Sequence, residues 1–260
     1  MEIPRILWCY WHDEALPPLI AELFATFPTR TWDVRRLWDG HPTLRALEAE
    51  APREAANARR GQRQHFADWL RLRVLGAHGG AWVDITTRMN DAAYLDAFAD
   101  AARGFEAAMF DFPSKRTSAT YPALENYVIL APPRSPFVLR WRDEFDFAFT
   151  MDWGDYSVDV QLGARTGGRR VDPQRIYASG GTYVTQSMCA QVAMMLDARR
   201  PEAYLLWRCG YEGGGPYAAH VAADGNADRF AARWTLPQYP LVKVSQGQRA
   251  ALAVAATRAQ

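Results

Sequence analysis

Cysteine is scarce in this sequence, and its three cysteines stand apart from one another. Cys9, Cys189 and Cys209 lie in unrelated contexts, with neither a CxxC pair nor a Cys/His spacing. An odd number of cysteines without ligand spacing argues against a disulfide framework and against a structural zinc site. We therefore expect a protein of a reducing compartment.

An excess of one charge and a long apolar run are missing as well. The 30 basic and 29 acidic residues give a formal net charge of +1, which offers no electrostatic reason to expect a nucleic-acid partner. No window approaches a membrane span, and the opening MEIPRILWCYWHDE lacks the basic flank and clean apolar stretch of a signal peptide. The expected location is the cytoplasm, either free or peripheral to the inner face of the membrane.

What is present is enough apolar sequence for a full core, with strands and helices in alternation. Hydrophobic residues make up 49% of the 260 residues. Apolar runs and helical spacings predict strands at 3–11, 32–37, 81–83, 105–110 and 127–131, and helices at 17–27, 43–50, 62–78, 136–149 and 185–196. The polar stretch 151–175 is expected to be a long loop. This order predicts an α/β fold with a mostly parallel sheet flanked by helices, which binds ligands beyond the carboxyl ends of its strands.

The stretch HFADWLRLRVLGAHGGAWVDITT, residues 65–87, carries the candidate chemistry. Asp68 and Arg71 are three apart on the predicted helix and share a face. Asp84 follows an apolar strand, so its carboxylate is expected at the rim of the sheet, and Thr86 points the same way on extended chain. The pattern predicts that these side chains meet in one pocket. Two plainer readings stay open, a surface ion pair for Asp68 and Arg71 and a turn cap for Asp84.

These residues resemble a known family. Residues 66–86 are similar to the D-x-x-R-x-x-x-L-x-x-x-G-G-x-x-x-D segment of capsular polysaccharide synthesis proteins and related DxD-type sugar-binding glycosyltransferases. The group includes the yeast-type α-mannosyltransferases and the clostridial glucosylating toxins. Three other segments, IPRILWCYW, ENYVILAPPRSPFV and LVKVS, resemble further parts of the same group in the same order.

The resemblance implies a GT-A type nucleotide-sugar fold in one domain over residues 1–260. Residues 1–90 would form the nucleotide-sugar-binding half, and residues 91–260 the acceptor half with the C-terminal segment. The implied activity is retaining transfer of a hexose or related sugar in bacterial surface polysaccharide synthesis. The donor would be a nucleoside-diphosphate sugar, and the acceptor a glycan, a lipid-linked saccharide or a small molecule. The alternative is a catalytically weak nucleotide-sugar-binding module of an assembly complex.

The resemblance also assigns roles by position. Trp11 would stack on the nucleotide base, Asp68 and Arg71 would contact the donor sugar and ribose, and Asp84 would bind donor hydroxyls or a metal-bound water. Thr86 would face the metal and the diphosphate. The implied donor-binding residues are Tyr10, Trp11, Asp68, Arg71, Asp84, Thr86 and Lys243, of which Asp68, Arg71 and Asp84 are the catalytic candidates.

A divalent cation, Mn²⁺ or Mg²⁺, is the expected cofactor, with Asp84, Thr86 and His220 as candidate ligands. Thr86 stands where the family pattern has a second acid, and a neutral hydroxyl is a weak ligand, so the expected metal affinity is lowered. His220 is either a late metal or phosphate ligand or an ordinary loop histidine. Lys243 is either a diphosphate contact or a solvated lysine.

The acceptor side has three candidates. Glu125 and Asn126 precede an apolar strand and are placed to orient the acceptor or the sugar, although a cap or turn role for Asn126 is also open. Trp153, with Tyr156 beside it, is either a platform for an acceptor sugar or part of the helix packing.

Overall fold

The computed structural model describes residues 2–60, 63–111, 124–168, 185–197, 203–208, 218–224, 226–250 and 252. Its centre is a six-stranded sheet in the order β2-β1-β3-β6-β5-β7. Five of these strands run in one direction, and β6 alone runs against its neighbours β3 and β5. The strands are β1 Ile6–Tyr10, β2 Asp33–Leu37, β3 Gly80–Val83, β4 Thr87–Met89, β5 Ala107–Asp111, β6 Leu124–Ala131, β7 Tyr204–Arg208 and β8 Leu241–Lys243.

Helices connect and cover these strands. In the described part of the chain none is long and apolar enough to cross a membrane. The helices are α1 Pro18–Phe24, α2 Pro42–Glu50, α3 Pro52–Arg60, α4 Arg63–His78, α5 Ala92–Ala101, α6 Pro136–Ala148, α7 Trp153–Leu162, α8 Thr185–Leu196, α9 Ala218–Ala223 and α10 Ala227–Ala231, with a 3₁₀ turn at Ala164–Thr166.

The sheet separates two apolar layers, as the alternation of its side chains requires. Trp8 and Trp82 pack on the side that includes Trp69 of α4 and Trp141 of α6. Their neighbours along the strands, such as Val83, pack on the opposite side with residues of α1 and α5. Both faces are therefore buried, which explains why the central strands read as continuous apolar runs in the sequence.

Two glycines join α4 directly to β3. Gly79 and Gly80 adopt φ angles of 65° and 100°, a region that residues with a side chain rarely occupy. A Cβ on Gly79 would lie 2.4 Å from the Pro133 nitrogen, and one on Gly80 would lie 2.3 Å from the Ile6 carbonyl oxygen. The tight junction therefore needs glycine at both positions, and it holds the helix of Asp68 close to the strand that leads to Asp84.

A small antiparallel ribbon places the C-terminal segment next to the end of β3. β4 pairs with β8, and Thr87 lies opposite Lys243 in the register. The Val244 amide also donates to the Thr86 carbonyl over 2.9 Å. The ribbon thus brings Lys243 beside the end of β3.

The structure confirms the predicted α/β class with its mostly parallel, helix-flanked sheet. Helices α3, α5, α9 and α10 and strands β4, β7 and β8 were not predicted. The prediction of a loop over 151–175 is wrong where the structure describes it, because α7 lies there; residues 169–175 lie outside the described residues. Asp152 accepts from the Gly154 amide at the start of α7, and Gly163, with φ of 81°, ends it. Tyr156 and Val160 are the buried hydrophobic residues described on this helix, which explains its weak periodic signal.

Candidate active site

A cavity of about 420 Å³ opens at the carboxyl ends of β1 and β3. This is the edge at which mostly parallel α/β sheets bind their ligands. The cavity draws on the segments that follow the two strands, on α4 and on the C-terminal segment. Its lining residues are Tyr10, Trp11, His12, Arg63, Gln64, Ala67, Arg71, Trp82, Asp84, Ile85, Thr86, Gln246 and Arg249.

Asp84 lies in the wall of this cavity and is held by three donors. Its Oδ1 accepts from Arg71 Nη2 over 3.0 Å and from Trp82 Nε1 over 2.9 Å. Its Oδ2 accepts from Lys243 Nζ over 2.6 Å. The turn after β3 is closed by the Asp84 carbonyl, which accepts from the Thr87 amide over 2.9 Å. The backbone rather than the carboxylate makes the turn, so the reading of Asp84 as a turn cap is wrong.

The charge of Asp84 is fixed by its neighbours. Burial acts to raise the pKa of this carboxyl, but the Lys243 ammonium and the Arg71 guanidinium outweigh burial, and its pKa lies below the ordinary value. The side chain keeps 22% of its surface exposed. A charged carboxylate therefore faces the cavity at neutral pH.

Arg71 and Asp68 form a buried ion pair. Arg71 Nη2 lies 3.2 Å from Asp68 Oδ1, and both side chains are 4% exposed. The alternative of a solvated surface pair is therefore wrong. Arg71 reaches the cavity, whereas Asp68 is buried and acts on the site through its partner. Charges buried this deeply persist only when each is paired and hydrogen-bonded.

Two amide side chains complete the surroundings of this pair. Asn126 Nδ2 donates to Asp68 Oδ1 over 3.1 Å and to Gln186 Oε1 over 2.7 Å. Gln186 Nε2 donates to the Asp68 carbonyl over 2.9 Å, and Arg71 Nη1 donates to the Asn126 carbonyl over 2.5 Å. Asn126 lies within β6, so its open cap or turn reading is wrong. Sequence reasoning missed Gln186. Its one signal in the sequence is that it is a polar residue in the mostly apolar helix α8, and the structure buries it fully.

The pKa of Asp68 is raised from its ordinary 3.8 to about 7. Desolvation is the main cause; Arg71 and Lys243 oppose it, and the charge of Asp84 adds to it. Burial likewise raises the pKa of Glu125 to about 7 against the attraction of Lys243. Asp68 and Glu125 therefore both titrate near neutral pH, whereas Asp84 stays charged.

We expect Asp68→Asn to flatten the pH dependence of stability between about pH 4 and about pH 7. Because the folded pKa is raised, this carboxyl stabilises the fold fully below its ordinary pKa of 3.8, and the contribution is lost as pH rises through about 7. Wild type should thus lose more stability than the variant across that window. Urea unfolding at several pH values measures the difference. Asp143→Asn, at an exposed site, should follow wild type, and equal losses in the Asp68 variant would contradict the expectation.

Lys243 bridges the two positions of the predicted metal motif. Its Nζ donates to Asp84 Oδ2 over 2.6 Å and to Thr86 Oγ1 over 2.9 Å. The side chain is 14% exposed, so the reading as a solvated lysine is wrong. Burial lowers the pKa of this ammonium, and the Asp84 carboxylate counters part of that effect.

Aromatic side chains form one wall of the cavity. Trp11 lies against His12 with ring centroids 4.9 Å apart, and its indole Nε1 is a buried atom with no hydrogen-bond partner in the described residues. The Tyr10 hydroxyl donates to Asp39 Oδ1 over 2.7 Å, and its ring meets Phe66 edge-on. Trp11 therefore lines the cavity while its buried N–H has no partner among the described residues, whereas Tyr10 is tied back by its hydroxyl.

Basic side chains form another part of the cavity lining. Arg63, Arg71 and Arg249 line it, together with His12, and Asp84 is the single acid among the described lining residues. Arg63 Nη1 lies 2.9 Å from His12 Nε2. Sequence reasoning missed Arg63, Arg249 and His12, because none of them belongs to a motif. Guanidinium groups bind phosphates well, so this wall suits an anionic ligand.

The described donor set does not fit a divalent cation. Among the residues that the structure describes, no three His, Cys, Asp or Glu side chains are grouped as ligands. Three of the roughly four acceptor positions of the Asp84 carboxylate are filled, and Lys243 already contacts Thr86 Oγ1. At about 4 Å from that ammonium a divalent ion would meet a repulsion of roughly 8 kcal/mol, twice that of two unit charges, at an effective dielectric constant of about 20.

Three other predicted site residues are not among the described residues that line this cavity. His220 lies in α9 and Trp153 begins α7, but the side chains of both are outside the described residues. Glu125 lies in β6 beside Asn126 and acts on the site through its charge. Tyr156 is fully buried and its hydroxyl donates to Glu144 Oε1 over 2.9 Å, which makes it a packing residue.

Several residues of the site lie within a stretch that is similar to a known family. Residues 54–147 match the family model for capsular polysaccharide synthesis protein, which confirms the predicted resemblance over that stretch. It contains Asp68, Arg71, Asp84 and Asn126.

Two solved structures align with most of the chain. One, the PaToxG glycosyltransferase, has a TM-score of 0.40 and 12% identity over 96% of this chain and 84% of its own. The other is a glycosyltransferase involved in the glycosylation of the major capsid of PBCV-1, with a TM-score of 0.46 and 8% identity over 96% of this chain and 98% of its own. No curated protein matches the chain.

Proposed function

We propose that this chain is a glycosyltransferase that moves a sugar from a nucleoside-diphosphate sugar to a glycan, a lipid-linked saccharide or a small acceptor, with retention at the anomeric carbon. The observation that carries the proposal is the cavity at the ends of β1 and β3. It combines an aromatic wall, a basic wall and one charged carboxylate. The match of residues 54–147 to capsular polysaccharide synthesis proteins supports a role in making surface polysaccharide.

Each part of the cavity lining is suited to bind one part of such a donor. The Trp11 ring offers a stacking surface for a nucleobase. Arg63, Arg71 and Arg249 offer guanidinium groups for the diphosphate, where negative charge grows as its bond to the anomeric carbon breaks. Asp84 retains about one open acceptor position, which suits a donor hydroxyl, and its charge stabilises the positive character that develops on the sugar ring.

The direct test is donor cleavage. Purified protein is incubated with UDP-, GDP- and other nucleoside-diphosphate sugars, with and without candidate acceptors, in Mn²⁺ and in EDTA. Release of the nucleoside diphosphate is measured, and thermal shifts with UDP and GDP report binding. Release with one donor family supports the proposal. Binding without turnover for any acceptor would instead favour a sugar-nucleotide-binding module, and indifference to every nucleotide would contradict both.

Removing the aromatic wall should weaken donor binding more than turnover. For Trp11→Ala we expect the KM for the donor to rise about tenfold, since stacking a base on an aromatic ring contributes roughly 1–3 kcal/mol. Trp11→Phe keeps a ring and should recover most of the affinity. Initial-rate kinetics with the preferred donor measure both effects.

The matched control is Trp38→Ala. Trp38 is also partly buried, but it packs on His41 outside the cavity lining, so the KM should stay within about twofold of wild type. A Trp11→Ala enzyme with an unchanged KM would remove this residue from the donor site.

A further inference from the structure

We propose that this site binds its diphosphate ligand without a divalent cation, because Lys243, Arg63 and Arg249 supply the positive charge. The inference rests on the proposed function, since it concerns the same donor site. It departs from the cofactor expected from the sequence. Two observations carry it: Lys243 contacts Asp84, and Arg63 and Arg249 line the same cavity as Asp84.

The first step is the place that Lys243 takes. Its ammonium contacts Asp84 Oδ2 and Thr86 Oγ1 at 2.6 and 2.9 Å, and these are the two atoms that a cation bound to this motif would use. The pairing of β8 with β4 sets Lys243 opposite Thr87. The pairing of the two strands thus places the Lys243 ammonium at the motif. It occupies the position at which the sequence predicts a divalent metal ion.

The second step is the shortage of ligands for a metal ion among the residues that the structure describes. Oδ1 of Asp84 already accepts from Arg71 and Trp82, and Oδ2 accepts from Lys243. Thr86 adds only a neutral hydroxyl, which binds hard cations weakly. An incoming ion would have to displace an ammonium that is itself nearly buried and would lose its counter-charge.

The third step is the source of charge for the phosphates. Arg63 at the start of α4 and Arg249 in the C-terminal segment both line the cavity, as Thr86 does. A guanidinium presents two parallel N–H groups to a phosphate and stays charged at all physiological pH values. Two arginines from separate segments can therefore clamp a diphosphate in the way that a metal ion would.

Calorimetry with UDP and GDP as probes tests this directly. The protein is stripped with EDTA and desalted, and each nucleotide is titrated in EDTA and again in Mn²⁺ or Mg²⁺. We expect at least one nucleotide to bind in EDTA, with a dissociation constant that metal changes by less than about threefold. A tightening of more than threefold by metal would overturn the inference and leave the proposed function standing. Failure of both nucleotides in every buffer, together with no donor turnover, would overturn both.

Variants separate the contributions of the individual cations. Lys243→Met keeps the length without the charge, and we expect UDP or GDP affinity in EDTA to fall at least tenfold, with partial recovery in Mn²⁺ once Asp84 Oδ2 and Thr86 Oγ1 are released. Arg63→Gln and Arg249→Gln should each lower the affinity at least fivefold in EDTA. The control, Arg103→Gln, removes a 73% exposed arginine and should change nothing.

Circular dichroism and urea unfolding check that each variant is folded. If Lys243→Met does not fold, the comparison of wild type in EDTA and in metal still decides the question. A folded Lys243→Met protein that binds nucleotide in EDTA as tightly as wild type would contradict the role given to Lys243.

Discussion

Asp84→Asn lowers the rate of sugar transfer by about a hundredfold or more, the range seen when a preorganised electrostatic contact is removed from an active site. The amide keeps the size of the side chain but loses the negative charge. Lys243 and Arg71 then lose their common counter-charge, and the cavity loses its single described acid. Steady-state kinetics with the preferred donor measure the loss in kcat/KM.

The chain should remain folded in this variant. The retained amide oxygen still accepts from one cation, and Asp68 remains paired with Arg71. Asp143→Asn, which alters a 66% exposed carboxylate outside the cavity lining, is the matched control and should keep wild-type kinetics. An Asp84→Asn protein within a few-fold of wild type would show that the sugar is bound elsewhere.

Arg71→Met destabilises the fold by about 3–5 kcal/mol, the usual cost of removing one partner of a buried ion pair. Asp68 is 3% exposed, so without the guanidinium it must either carry an unpaired buried charge or take up a proton. Gln186 Oε1 and the Asn126 carbonyl would also lose a donor. Urea unfolding monitored by circular dichroism measures the change in free energy.

The same variant has a pH signature. Without the guanidinium the pKa of Asp68 rises further above its value of about 7, so the damage should be smaller in mildly acidic buffer, where the carboxyl is protonated, and larger in mildly basic buffer. The double variant Asp68→Asn/Arg71→Met should be more stable than the sum of the single changes predicts. Arg103→Met, at an exposed pair, should cost less than about 0.5 kcal/mol. A loss below about 1 kcal/mol in Arg71→Met would contradict the paired arrangement.

Local signals explain what could be predicted about this molecule. The helical spacing of α4, the glycine pair and the apolar strand β3 lie within one short stretch. The rule that ligands gather at the carboxyl ends of strands then placed Asp84 at a rim. The carboxylate does lie in a cavity wall at that rim, although its role in catalysis stays a prediction.

Long-range partners explain what could not be predicted. Gln186 contacts Arg71 across 115 residues of sequence, and Lys243 contacts Asp84 across 159 residues. No local sequence pattern predicts such pairs. The direction of β6 was equally hidden, because a strand buried on both faces reads as the same apolar run in either orientation. Helix α7 was not predicted because few of its described residues are both buried and apolar, so its sequence has no clear helical periodicity.

The ribbon of β4 with β8 has a consequence for the order in which the molecule matures. All six strands of the main sheet lie before residue 209, so a growing chain has all the strands of its scaffold before Lys243 leaves the ribosome. Of the two cations paired with Asp84 in the described structure, only Arg71 precedes this point in the chain. Lys243 and the lining residues Gln246 and Arg249 are therefore the last described part of the site to be synthesised, and a chain cut short before β8 would lack all three.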